Sequence, residues 1–248
     1  MPVIICLQGR AQPPVNEQKP PINIYLTFDD GPVKSSWSLI EMLCRDSIPI
    51  TVFLVGKNVF SKKEGNDILQ FYRNSICVEI DNHSFNHANK KYKAFYSHPE
   101  RVIKDILLNE DTLRLENKIV RLPGRNVWRI NGSQRNDLAD ASIAADSLAN
   151  RGFRIFGWDI AWQYDSLTQA YQSASQMIGR IKYLTANKII FTPGHVVILC
   201  HDYMLEDESG RSQLQVFIKE IKSSGNWFFK KIKEYPSYCP PDPGDDLH

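Results

Sequence analysis

No apolar run in this 248-residue chain approaches the roughly 18 residues that a membrane-spanning helix needs. The run Val3-Ile4-Ile5-Cys6-Leu7 is too short for the apolar region of a secretion signal and has no basic residues ahead of it, unless it is the tail of one already removed. Neither sign of charge dominates: 30 Lys and Arg stand against 28 Asp and Glu, a net +2, which gives no basic field of the kind that nucleic acid requires. The five cysteines, Cys6, Cys44, Cys77, Cys200 and Cys239, are odd in number and include no Cys-x-x-Cys pair. That pattern indicates neither a disulfide framework nor a thiolate zinc cluster. Each is expected to pack as a small hydrophobe, most clearly Cys200 at the end of Val196-Val197-Ile198-Leu199.

What is present is ordinary globular material, 42% hydrophobic and 23% charged, enough for one large core. The Pro-rich stretch 11–21 reads as a linker closing an N-terminal extension over 1–21, and 237–248 as a tail, which leaves a folded body over 22–236. Within it, short apolar strand candidates at 22–28, 50–55, 76–80, 118–121, 153–158, 196–200 and 226–230 alternate with helical patterns at 35–46, 64–74, 99–117, 137–151, 166–184 and 211–223. This repeated β/α order implies an α/β fold with a mostly parallel sheet of about seven strands, open or closed as an irregular barrel. In such sheets ligands bind at the C-terminal ends of the strands. There the chain places its unusual residues: Asp29 and Asp30 after the first strand, His83 and His87 after the third, Arg121 at the fourth, Trp158 and Asp159 at the fifth, His201 and Asp202 at the sixth.

Thr27-Phe28-Asp29-Asp30-Gly31-Pro32 is a good turn, since Asp bonds its own backbone, Gly supplies positive φ and Pro stiffens the chain; it is equally a way to present paired carboxylates at a sheet edge. In Asn82-His83-Ser84-Phe85-Asn86-His87 two histidines stand four apart, the spacing that puts both imidazoles on one side of a helical turn. Two neutral imidazoles and one carboxylate make a three-ligand zinc site with an open position for water. Asp30, His83 and His87 are the expected ligands.

These two segments closely resemble the first two motifs of the polysaccharide deacetylases, the NodB-homology domains of carbohydrate esterase family 4. Arg121-Leu122-Pro123-Gly124, Gly157-Trp158-Asp159-Ile160-Ala161-Trp162 and Leu199-Cys200-His201 resemble the later three motifs, so that the likeness spans nearly the whole body. The resemblance implies a distorted, incomplete (β/α) barrel and a metal-dependent hydrolase that removes acetyl from the N-acetylated sugars of a polysaccharide such as peptidoglycan, poly-N-acetylglucosamine or chitin. It implies zinc, with cobalt or nickel as alternatives, and a periplasmic, cell-envelope or secreted location. Asp29 would be the general base, Asp30 a metal ligand with His83 and His87, and His201 the general acid. The chemistry agrees: zinc acidifies a bound water and polarises a carbonyl, a carboxylate beside it takes the proton, and a histidine protonates the departing amine. Arg121 would hold Asp29 through paired hydrogen bonds.

Gly124 stands where the family has Tyr; its backbone N–H would serve the oxyanion, and losing the aromatic wall would widen the site or leave the wall to Trp128, with Trp158 a further substrate-side candidate. Ala161 stands where the resemblance leads one to expect the Asp that tunes the histidine, so Asp159 or Asp165 would have to substitute. Trp128, Trp162, Tyr164 and Tyr203 are candidates for stacking on sugar faces, whereas His98 and His195 are read as structural. An O-deacetylase of acetylated xylan fits the same residues; a carbohydrate-binding relative without turnover is a further alternative, left open by the altered third and fourth motifs, against which intact Asp29, Asp30, His83, His87, Arg121 and His201 argue.

Overall fold

The computed structural model describes residues 20–61 and 63–236. The expected tail, Cys6, Cys239 and all of the expected extension but Pro20 and Pro21 lie outside them. The elements run β1 (Ile22–Asp29), α1 (Ser36–Arg45), β2 (Ile50–Leu54), α2 (Gly56–Ser61), α3 (Lys63–Asn74), β3 (Val78–Asn82), α4 (Tyr92–Tyr96), α5 (Pro99–Thr112), β4 (Ile119–Val120), β5 (Val127–Ile130), β6 (Ser133–Asn136) and α6 (Ser142–Ala149). They continue with β7 (Arg154–Ile155), β8 (Ile160–Ala161), β9 (Tyr164–Asp165), β10 (Ala170–Tyr171), α7 (Ala174–Ala186), β11 (His195–His201), α8 (Glu208–Ser223) and β12 (Trp227–Lys230).

Seven strands pair in parallel in the order β7-β4-β3-β2-β1-β11-β8, with β12 also parallel to β1. The antiparallel hairpin β5–β6 extends the β7 edge, and β8 forms the other edge, so the sheet curls without closing. This is the expected incomplete barrel. β1 and β2 are buried on both faces, as parallel strands covered by helices must be. Their alternation still sorts two cores. Ile24, Leu26 and Phe28 of β1 and Val196, Ile198 and Cys200 of β11 face the helices, meeting Leu39, Leu43, Ile68 and Phe217 at helical spacing. Tyr25 and Val197 face the interior, where Phe53, Ile119, Trp128 and Phe156 fill the barrel.

The C-terminal segment plugs the interior from below. Ile232 and Tyr235 join its aromatic cluster, and Glu79 holds the segment by accepting the Lys233 backbone N–H at 3.0 Å and the Thr51 hydroxyl at 2.9 Å. His195 is structural as read, hydrogen-bonded to the Tyr25 hydroxyl at 2.8 Å, and His98 sits beside Glu100 at the start of α5.

Three sequence expectations are corrected. The helix expected over 166–184 is a β9–β10 hairpin followed by α7, because Asp165 accepts the Leu167 backbone N–H at 2.8 Å and turns the chain; Ser173 and Gln176 then cap the helix reciprocally. The β5–β6 hairpin was not foreseen, although Asn131-Gly132, both at positive φ, is the signal for it. Cys44 and Cys77 are not packed hydrophobes but a disulfide joining the end of α1 to the approach to β3. Among the described residues, Cys200 is buried and free, as expected.

Closing a loop of this sequence separation, 33 residues, removes chain entropy from the unfolded state worth about 3 to 4 kcal/mol. Dithiothreitol should therefore lower the urea midpoint by the corresponding amount; an unmoved midpoint would mean the bridge contributes nothing.

Candidate active site

The interior-facing, odd-numbered positions of neighbouring strands deliver the site. Asp29 ends β1 and His201 ends β11, and the two are register partners across the parallel pair. His83 follows Glu79 and Asp81 up the inner face of β3, and Arg121 follows Ile119 of β4. Side chains two apart on one face must arrive together where the strands stop.

Arg121 is fully buried. Its Nη1 donates to the Asp29 carboxylate at 2.8 Å and to the Thr27 hydroxyl at 2.7 Å, Nη2 to the Gly157 carbonyl at 2.8 Å, and Nε to the Phe156 carbonyl at 3.3 Å. The guanidinium lies 4.2 Å from the Phe53 ring centroid. The expected paired bonds to Asp29 are thus a single bond, because the other donors go to the backbone after β7. That leaves Asp29 Oδ2 facing His83 Nε2 at 3.7 Å.

Asp30 leaves the strand by adopting φ of +70°, a left-handed conformation that Asp tolerates better than most residues. Asn58 stabilises the turn by donating to the Asp30 carbonyl at 2.7 Å. The turn brings Asp30 Oδ1 to 2.9 Å from His87 Nε2 and 3.3 Å from His83 Nε2, and Oδ2 to 3.9 Å from His201 Nε2. Burial opposes charge on Asp30, but the two imidazoles outweigh it and hold the carboxyl well below the usual range. Oδ1 is nonetheless buried without a hydrogen bond of good geometry. The ligand atoms of Asp30, His83 and His87 all lie within 4.8 Å of one another, the one group of this kind among the described residues. His83 Nδ1 is 2.9 Å from the Arg121 carbonyl, which fixes Nε2 as the free nitrogen.

The two histidines do not share a helical turn. His83 lies just past β3, and the chain reaches His87 through Ser84 in the left-handed region; His87, Ala88, Asn89 and Lys90 then form a run of positive φ, from 46° to 62°. Ser84 Oγ accepts the His87 N–H at 3.0 Å and ties the turn.

On the opposite flank, His201 stacks on Tyr203 with centroids 4.9 Å apart, and burial lowers its pKa despite the pull of Asp29 and Asp30. Neither expected carboxylate supports it. Asp159 is buried and turned away, accepting backbone N–H groups of Phe191 at 2.8 Å and Val197 at 2.9 Å, while Asp165 serves its own turn. Trp128 is no substrate wall: it is fully buried, stacked on Phe191 at 4.3 Å, and Trp162 is buried too. Tyr203 and Tyr164 are each 48% exposed, and half-buried Trp158 remains near the site, with Arg121 6.0 Å from its ring centroid. Asp202, missed as a support, lies buried beneath the Gly31 turn and bonds the Ser36 hydroxyl; burial, ahead of Asp29 and Asp30, raises its pKa to about 7. A wide groove lined by Pro21, Ile178, Ile190 and Trp227 opens at the other end of the sheet and shares no residue with this site.

The sequence profile described as Polysaccharide deacetylase matches residues 16–143. The chain belongs to this family. A peptidoglycan-N-acetylglucosamine deacetylase of Bacillus cereus is 26% identical over 82% of the chain and 67% of the relative, and a chitin disaccharide deacetylase of Vibrio alginolyticus is 22% identical over 83% and 69%. Among solved structures, a Streptococcus mutans family 4 carbohydrate esterase superposes with a TM-score of 0.63 at 20% identity, covering 84% of this chain and 85% of that one. A polysaccharide deacetylase of Bacillus cereus gives 0.61 at 21%, covering 91% and 98%. As a polysaccharide deacetylase the chain is a hydrolase, and no helix among its described residues is long and apolar enough to cross a membrane.

In this polysaccharide deacetylase Arg121 has four acceptors and no exposed surface. Arg121→Lys, which cannot reach them all, should cost about 3 kcal/mol or more of stability. Urea denaturation measures it, and a loss under 1 kcal/mol would refute the buried network.

Proposed function

We propose that this enzyme hydrolyses the acetamide of N-acetylated sugars in a polysaccharide, peptidoglycan, poly-N-acetylglucosamine or chitin-like, giving acetate and a free amine. The observation that carries the reading is the convergence of Asp30, His83 and His87 with Asp29 on one flank and His201 on the other. The names of the two relatives, which act on peptidoglycan and a chitin disaccharide, support an amide rather than an ester substrate.

The residues fit a metal. A buried carboxylate oxygen without a hydrogen bond faces two imidazole nitrogens, and this donor set suits zinc, with cobalt or nickel as alternatives. Zinc, when bound, supplies an acidified water and polarises the acyl oxygen. Asp29, hydrogen-bonded through Oδ1 to Arg121, would take the water's proton on Oδ2. His201 is neutral because burial lowers its pKa; it would take a proton from solvent and deliver it to the nitrogen as the C–N bond breaks, while Asp29 releases the water's proton to solvent. The Gly124 N–H is the donor to the developing oxyanion, and Trp158 borders the substrate. His201 makes no hydrogen bond to a carboxylate among the described residues, Asp30 lying 3.9 Å away across the site, and stacking on Tyr203 orients it instead.

Residues 22–236 would form the catalytic domain, with 1–21 a linker and 237–248 a tail. The location that fits is periplasmic, cell-envelope or secreted, supported by the Cys44–Cys77 disulfide, which suits an oxidising compartment.

Acetate release should be measured on chitin oligomers, peptidoglycan and acetylxylan, with and without chelator. Release from the first two is expected, lost with chelator and reduced at least about 100-fold by Asp29→Asn. His83→Ala should lose bound zinc. Release that survives chelation, or that comes from acetylxylan alone, would sink the proposal.

A further inference from the structure

Gly124 leaves a gap in the cleft wall, and a side chain from another element fills it. Gly124 has φ of +63°, and a Cβ placed there would lie 2.9 Å from Tyr92 Cε1, so the Tyr92 ring rests directly against the glycine backbone. Tyr92 opens α4, whose other end is pinned to the same loop: Tyr96 is buried, and its hydroxyl donates to the Pro123 carbonyl at 2.7 Å. Arg125 lays its guanidinium against both rings, 5.7 Å from the Tyr92 centroid and 4.8 Å from that of Tyr96. Asp140 in turn clamps Arg125 through bonds of 2.8 and 2.6 Å.

On its other side the Tyr92 ring meets His87 edge-on, with centroids 5.8 Å apart and planes at 84°, and its hydroxyl is 3.5 Å from His87 Nδ1. The ring is only half-buried. Held between Gly124 and His87, the ring stands directly beside one member of the Asp30–His83–His87 group.

We propose that Tyr92 positions the substrate, its ring forming the cleft wall on the His87 side against which the acetamido sugar lies. Sequence reasoning missed it because position 92 belongs to none of the motifs and reaches the site only through the left-handed turn. A ring already immobilised by Gly124, Arg125 and α4 loses little further freedom when a sugar packs on it, so its contact counts nearly in full. An aromatic contact of this kind corresponds to about a 5- to 10-fold change in affinity.

The inference rests on the acetamido-sugar reading above. The test is calorimetric binding of the tetramer of β-1,4-linked N-acetylglucosamine to metal-free protein, which needs no turnover. Tyr92→Ala should weaken binding about 10-fold, whereas Tyr92→Phe, which keeps the ring, should stay within about 2-fold of wild type. Tyr92→Leu replaces the alanine variant if that fails to fold, with the same loss expected. Undiminished binding without the ring, or an equal loss in Tyr92→Phe, overturns the role of Tyr92. Failure of the wild type to bind the tetramer overturns the sugar reading and this inference with it.

Discussion

A guanidinium removed from water must find its partners in protein, and here that requirement organises the barrel's upper end. Arg121 joins the ends of β1 and β4 to the segment after β7 through one carboxylate, one hydroxyl and two carbonyls. Its attraction for Asp29 is net favourable only while the hydroxyl and the two carbonyls are also in place, since a half-satisfied buried charge costs more than it returns. The backbone at 156–157 and the Thr27 side chain are therefore as much a part of the site as Asp29 itself. Through its carbonyl the same residue orients His83, so one buried cation sets both the candidate base and one candidate ligand.

The strand alternation explains why so much of this was readable in advance. Asp29 and His201 end, and His83 and Arg121 directly follow, strands whose parallel run the β/α alternation already implied, and period-two geometry then keeps them on the inner face. The histidine pair was identified for an incorrect reason. Helical spacing suggested it, but a left-handed turn delivers it, and backbone conformations at positive φ leave little trace when the residues are His, Ala, Asn and Lys.

What stayed illegible depends on packing across distant segments. Trp128 beside Gly124 looked like a wall, yet its strand β5 is the antiparallel addition at the sheet edge, and its ring turns inward onto Phe191. Asp159 looked like a support for His201, but two backbone N–H groups some 30 residues further on claim it. Cys44 and Cys77 lie 33 residues apart with nothing between them to announce a pair. The Asn131-Gly132 hairpin, by contrast, is legible, since both residues tolerate the positive φ that a tight hairpin turn requires.

The left-handed run from His87 to Lys90 limits how this chain can vary. Each such residue costs about 1 to 2 kcal/mol relative to an ordinary conformation, least for glycine and asparagine. A β-branched residue at 88, 89 or 90 would pull the turn open and swing His87 away from Asp30. Three positions with no chemistry of their own are thereby confined to a narrow set of amino acids, a constraint on drift that reaches the site through the backbone alone.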